Sequence, residues 1–157
     1  VPGALDVHDL IRAAVAITIA AAAAAHEGRT RTIPSSLSLP PIALGFALVV
    51  VDGRLGATIG GLVLSAFAAL VLLGTRRLAG GGAPLAIALG ACVGLTPALY
   101  AWIAAVILTF AVTGLHARVY PDAADACRPT LLSSRIALVA ITVGVAVDLA
   151  LQARTPA

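Results

Sequence analysis

From Leu55 to Gly74 the chain runs for twenty residues without a single charge, and only Thr58 and Ser65 interrupt its apolar and glycine content. A helix needs about 20 apolar residues to cross the roughly 30 Å hydrocarbon core of a bilayer, because each residue adds about 1.5 Å. The remaining sequence repeats the theme. With about 18–20 apolar residues per crossing as the yardstick, the runs fall at Leu10–Ala25, Ser36–Val51, Leu55–Gly74, Ala83–Leu95, Ala98–Leu115 and Ile136–Leu151. Apolar residues make up 61% of the 157 positions and charged residues only 11%. Soluble domains average about 45–50% and about 25%. A water-soluble fold of this size would lack the polar surface to cover itself. The expectation is an all-α integral membrane protein, one polytopic domain over residues 1–157, with about six transmembrane helices in one bundle.

The first run reads as a retained span rather than a cleaved signal. Asp6 and Asp9 precede it where a signal would carry positive charge, and His26-Glu27 follow it where small residues would mark a cleavage site. Pro40-Pro41 sit near the start of the second run, where a first helical turn tolerates proline. Pro97 between the fourth and fifth runs predicts a tight helical hairpin. If the connector after the first run faces the cytoplasm and sides then alternate, the inside holds Arg29, Arg31, Arg76, Arg77, Arg118, Arg128 and Arg135. The outside holds Arg12, Arg54 and Arg154. Seven against three is the positive-inside bias, and it places both termini outside.

The net charge of +3 is spread over short connectors rather than gathered in a stripe, which argues against nucleic acid as a partner. Cys92 and Cys127 match no CxxC or zinc spacing, so neither a metal nor another cofactor is expected. Gly56/Gly60 and Gly90/Gly94 form GxxxG pairs that let helix backbones approach. Packing within one bundle is the reading preferred over a dimerisation face. No inverted repeat of the transporter kind is visible.

Two acids stand out. Asp148 lies within the last apolar run, and an ionisable group there is a site candidate by default, although it sits close enough to the outer end to reach the headgroups. Glu27 ends the first run, just before Gly28-Arg29-Thr30-Arg31-Thr32-Ile33-Pro34. This stretch resembles the type IV prepilin peptidases, intramembrane aspartic proteases of the GxGD type, in the compact form without a methyltransferase domain. That family carries an Asp at the end of a span, then a basic stretch closing in Ile-Pro-Asn. Here Glu27 stands at the Asp, Arg29 and Arg31 at basic positions, Ile33-Pro34 is intact, and Ser35 replaces the Asn. Leu37-Ser38-Leu39-Pro40 and Gly45 resemble the next span. Arg76-Arg77-Leu78-Ala79-Gly80-Gly81-Gly82 followed by Ala83-Pro84-Leu85 is similar to the glycine turn that leads into the family's second Asp. The resemblance covers about His26 to Leu95, with a looser likeness from Arg128-Pro129 onward.

The resemblance implies Glu27 as a degenerate first acid, Gly82 or Ala83 at the position of the missing second acid, and Arg29, Arg31, Pro34, Gly80 and Gly81 as substrate-binding positions. Aspartic proteolysis needs two carboxylates sharing one proton around a water. Neither Gly82 nor Ala83 can ionise, and Leu85 or Pro84 replaces the Lys that follows in the family. The extra methylene of Glu27 shifts its oxygens by roughly 1–1.5 Å, and misplacement of about 1 Å can cost about a hundredfold.

The preferred expectation is therefore a divergent, catalytically impaired member of the bacterial inner membrane. Its partners would be membrane lipids, the leader helices of pilin-like precursors, and pilus or secretion assembly proteins. One alternative is an active leader peptidase that pairs Glu27 with Asp122 or Asp125. Another is a small transporter or channel subunit, whose pathway candidates would be Thr18, Ser65, Thr109 and Thr142, each of which would otherwise bond its own helix backbone. Arg29, Arg31, Arg76 and Arg77 have a simpler role open to them in headgroup contact.

Overall fold

A computed structural model describes residues 7–30, 33–74, 82–119 and 134–154. Among the described residues there is no strand. Six α-helices follow in order: α1 (Val7–Thr30), α2 (Leu39–Asp52), α3 (Leu55–Gly74), α4 (Gly82–Val93), α5 (Leu95–Val119) and α6 (Ser134–Arg154). A single 3-10 turn at Ser35–Ser38 leads into α2.

The turn chemistry explains the helix ends. Proline occupies the first turn of α2, where no intrahelical partner is lost, and Gly53 closes that helix in the left-handed region at φ 68°. Its N–H returns to the Val49 carbonyl at 2.9 Å. Gly94, at φ 86°, is the whole connection between α4 and α5. Its N–H bonds the Gly90 carbonyl at 3.1 Å, and its own carbonyl accepts from Ala98 N–H at 3.2 Å. One residue reverses the chain because glycine alone enters that region without a Cβ penalty. α5 then folds back, so that Ala86, Ala105 and Ala140 meet in one buried cluster of α4, α5 and α6. The expected hairpin is present, although α5 starts at Leu95 and takes Pro97 into its first turn.

Contacts between distant residues set the helix directions. Arg54 beside the start of α3 bonds Asp9 near the start of α1. Arg12 of α1 bonds the Cys92 carbonyl near the end of α4. Asp9, Thr96 and Gln152 line one cavity. One end of the bundle thus gathers the beginning of α1, the α2–α3 and α4–α5 junctions and the end of α6. The helices alternate, and the other end carries Glu27, Ile33, Gly82 and Arg135.

Among the described residues, three segments are long and apolar enough to cross a membrane: Val7–Thr30, Leu95–Leu115 and Arg135–Ala153. The segments at Ser36–Val51, Leu55–Val71 and Gly82–Val93 are shorter apolar helices. The twelve residues of α4 rise only about 18 Å, well short of a bilayer core. Every expected run is helical, with shifted ends: the first reaches Thr30 rather than Ala25, and the fourth stops at Val93 rather than Leu95.

Alanines supply most of the interior, joined by Leu85, Leu89 and Ile141, while many of the large side chains face out. Ala13, Ala16, Ala20 and Ala23 make the buried face of α1, at helical spacing. Phe67 and Phe110 are 67% and 68% exposed. This is the arrangement lipid favours, since tails solvate a Phe as well as a core does, and helix association rests on close packing instead. The close approach, however, is not made by the first GxxxG pair. A Cβ at Gly56 would meet open space, and one at Gly60 would touch only the Leu95 side chain. Gly61 is the contact glycine: a Cβ there would strike the Gly90 carbonyl oxygen and lie 2.7 Å from the Gly94 carbonyl carbon. Gly90 is packed against Ser65 and the Gly61 carbonyl. These two glycines bring α3 against α4, and Gly45 of α2 and Gly144 of α6 make close approaches of the same kind to Ala91 and Ala101 within the same bundle.

Gly61→Ala is expected to destabilise the bundle by about 1–3 kcal/mol, the usual range for overpacking. Gly56→Ala, into open space on a helix, should leave stability unchanged or raise it by up to about 1 kcal/mol. Unfolding of the detergent-solubilised variants, followed by circular dichroism, distinguishes the two.

Candidate functional site

The end of the bundle marked by Glu27 is assembled from α1, the 3-10 turn and α4. α1 continues through Glu27 to Thr30, whose hydroxyl donates to the His26 carbonyl at 3.0 Å and meets His26 Nδ1 at 2.9 Å. Such back-bonding is how a threonine is satisfied in the last turn of a helix. The chain then returns through Ile33, which is buried in one cluster with Ala23 and Leu85. Pro34 accepts from Leu37 N–H at 3.1 Å to open the 3-10 turn. Gly82 is buried as the first residue of α4, and Ala83 is half-buried beside it. Arg135 of α6 reaches over the last turn of α1, with one guanidinium nitrogen 3.3 Å from where a Gly28 Cβ would stand. That position sets a positive charge near the negative end of the α1 dipole.

Glu27, Arg29, Pro34, Gly82 and Ala83 are therefore brought to one end. Arg29 is exposed there, and Glu27 is half-buried. Arg31, Gly80, Gly81, Asp122 and Asp125 lie outside the described residues. Among acids whose side chains are described, Asp9 and Asp148 both belong to the opposite end, so Glu27 has neither of them as a carboxylate partner.

The opposite end holds the richer polar arrangement. Arg12 is 3% exposed, on the face of α1 that continues through Ala16, Ala20 and Ala23. One of its guanidinium nitrogens, Nη1, donates to Thr58 Oγ1 at 3.1 Å and to the Cys92 carbonyl at 3.3 Å. The carbonyls of a helix's last turn lack intrahelical donors and carry the negative pole of its dipole. Cys92 lies in the last turn of α4, so Arg12 supplies both the donor and the charge that this helix end lacks. In return, Cys92 Sγ donates weakly to the Arg12 carbonyl at 3.6 Å. Thr58 adds a hydroxyl from α3, and a single side chain joins three helices.

Around this buried arginine, Arg54 Nη1 lies 2.9 Å from both carboxylate oxygens of Asp9. With their side chains 48% and 22% exposed, the pair contributes at most a fraction of a kcal/mol. Asp148 Oδ2 accepts from Gln152 Nε2 at 2.8 Å, one turn along α6. Asp9, Arg12, Arg54, Asp148 and Gln152 together line a cavity of about 130 Å³.

Asp148 stands out in the sequence, and the structure places it in a polar cluster. Arg12 and Asp9 carry less signal. Arg12 falls two residues into the apolar run that begins at Leu10, as an ionisable group within a membrane segment, and that position is the clue the sequence offers. Of the threonines and serine considered for a pathway, Thr18 and Thr142 bond their own helix backbones at Ala14 and Leu138. Ser65 instead accepts from the Trp102 indole at 3.1 Å, which gives that donor its partner. Thr109 is buried. Among the described residues no cluster of three or more His, Cys, Asp or Glu could hold a metal ion. No family model, curated protein or solved structure matches this chain.

Arg12→Ala is expected to lower stability by about 2–4 kcal/mol, because it strips charged hydrogen bonds from buried acceptors and leaves space behind. Thr58→Val, which keeps the shape and removes one acceptor, should cost about 1–3 kcal/mol. Thermal unfolding in detergent measures both, and a cost for Arg12→Ala no larger than for an exposed arginine such as Arg29→Ala would refute the three-helix role.

Proposed function

We propose that this chain is a multi-pass protein of the bacterial inner membrane, built on the prepilin peptidase plan, that binds the apolar leader helices of pilin-like precursors without cutting them. In this reading the three shorter apolar helices also lie within the bilayer, the end with Glu27 faces the cytoplasm, and both termini lie outside. The protein would present or retain such precursors for a pilus or secretion assembly.

One observation carries the reading. Glu27, Ile33-Pro34 and the start of α4 converge on the same end of the bundle, and α4 opens on Gly82 and Ala83 where a peptidase would place its second acid. A general acid and a general base cannot both be supplied by one carboxylate. In this reading the first acid's surroundings are kept, no second carboxylate stands at that end among the described residues, and what such a site would still do is hold a helix. Ile33 and Pro34 supply a fixed turn beside it, and Arg29 and Arg135 supply positive charge.

The test uses full-length protein in detergent with a prepilin-type leader peptide. Fluorescence anisotropy is expected to register binding, and mass spectrometry to find the peptide intact after prolonged incubation. Cleavage that Glu27→Ala abolishes would replace the binding role with an enzymatic one. Separate Asp122→Asn and Asp125→Asn variants would then identify the second acid. Absence of binding by the folded protein would remove the leader-helix role altogether.

A further inference from the structure

We propose that the cavity at the Asp9–Asp148 end is a binding site for a phosphodiester–ammonium zwitterion, the chemistry shared by glycerophosphoethanolamine and the headgroup of phosphatidylethanolamine. It is a different site from the one marked by Glu27, and its case stands without the leader-helix reading.

The lining carries two carboxylates, Asp9 and Asp148, and two guanidiniums, Arg12 and Arg54, so its formal charge is zero. The charges are contributed by α1, the residue preceding α3, and α6, and they meet only because the helices alternate. Their internal pairing is incomplete. Asp9 and Arg54 compensate one another at 2.9 Å. Asp148 receives a neutral amide from Gln152 and, among the described residues, meets no cation within ion-pair distance. The other carboxylate lining the same cavity is Asp9, a charge of the same sign. An ammonium group lying between Asp148 and Asp9 would relieve that repulsion and gain charge-assisted hydrogen bonds.

An ammonium alone would also face two guanidiniums. A ligand that carries an anion beside its ammonium turns that repulsion into attraction. Arg12 is held at the wall by Thr58 and the Cys92 carbonyl, and Arg54 stands half-exposed at the rim. Arginine suits phosphate because its planar fork presents several N–H donors at fixed geometry. A simple anion would meet Asp148 and Asp9, so the two signs together exclude single-charge ligands of either kind.

Size and position agree with this choice. At about 30 Å³ of liquid volume per water, 130 Å³ holds on the order of four waters, room for a small polar headgroup and more than one ion needs. The cavity opens where helices begin and end, at Gly94, Leu95 and Thr96, rather than midway along them. That is the depth at which a lipid headgroup sits beside a membrane helix bundle.

The experiment is titration calorimetry on the full chain in a neutral detergent, with three probes: sn-glycero-3-phosphoethanolamine, dihexanoyl-phosphatidylethanolamine and dihexanoyl-phosphatidylglycerol. At least one zwitterion is expected to bind at least tenfold more tightly than phosphatidylglycerol. Asp148→Asn should weaken that binding tenfold or more while leaving the unfolding temperature in place. Arg54→Gln, at a half-exposed position, provides a second variant that removes the anion partner without touching the core. Binding of the free diester assigns the site to a soluble solute, and binding of the acyl-bearing probe alone assigns it to a lipid. Equal affinity for phosphatidylglycerol, unchanged binding in both variants, or no binding of either zwitterion would overturn the proposal.

Discussion

Helix backbones in this bundle touch, and that contact is the constraint on which the remaining architecture depends. Gly61 of α3 and Gly90 of α4 leave no room for a methyl group between them, and Gly144 of α6 stands so close to α5 that a Cβ would lie 2.6 Å from the Ala101 nitrogen. In lipid there is no hydrophobic gain from pushing a leucine inward, so attraction comes from the number of atoms brought to van der Waals distance. Alanine, glycine and serine maximise that number by letting the helix cylinders approach. The phenylalanines and valines displaced from the interior are at no disadvantage on the outside.

Close packing of backbones has an electrostatic consequence. α4 is short and the residues of its last turn are buried, so its last carbonyls need donors from elsewhere. Arg12 answers this from α1, and Thr58 of α3 shares the same guanidinium nitrogen. A charge that would be costly alone in an apolar segment becomes favourable at the negative pole of a helix. The reciprocal contact from Cys92 to the Arg12 carbonyl brings the two backbones together at that point. Deeper in the bundle, the Ser65–Trp102 bond ties α3 to α5 in the same manner.

The two ends of the bundle consequently differ in chemistry. One gathers a single described carboxylate, Glu27, beside basic groups and a proline turn. The other gathers charges of both signs around a cavity. Alternating helix direction is the reason for the separation, since it sends Glu27 at the end of α1 and Asp148 toward the end of α6 to opposite ends.

The helical runs, their apolar character and the prolines near the starts of α2 and α5 were legible in the sequence, because they depend on neighbours a few residues away. The proline start of α2 is a local event expected from residue type, whereas the tight turn expected at Pro97 falls instead at Gly94, which the sequence offered only as a packing glycine. The partners of each residue were not legible. Nothing in the spacing of Gly56, Gly60 and Gly61 says which faces α4, since a shift of one residue turns a helix face by about 100°. The sequence assigns Arg12 only to the outer side, and the fold sets Thr58 and Cys92 against it, 46 and 80 residues away along the chain. Secondary structure followed from short-range sterics and solvent preference, which the sequence states directly. Which helix lies beside which, and so where the charges meet, was decided by backbone contacts that exist only once the bundle has closed.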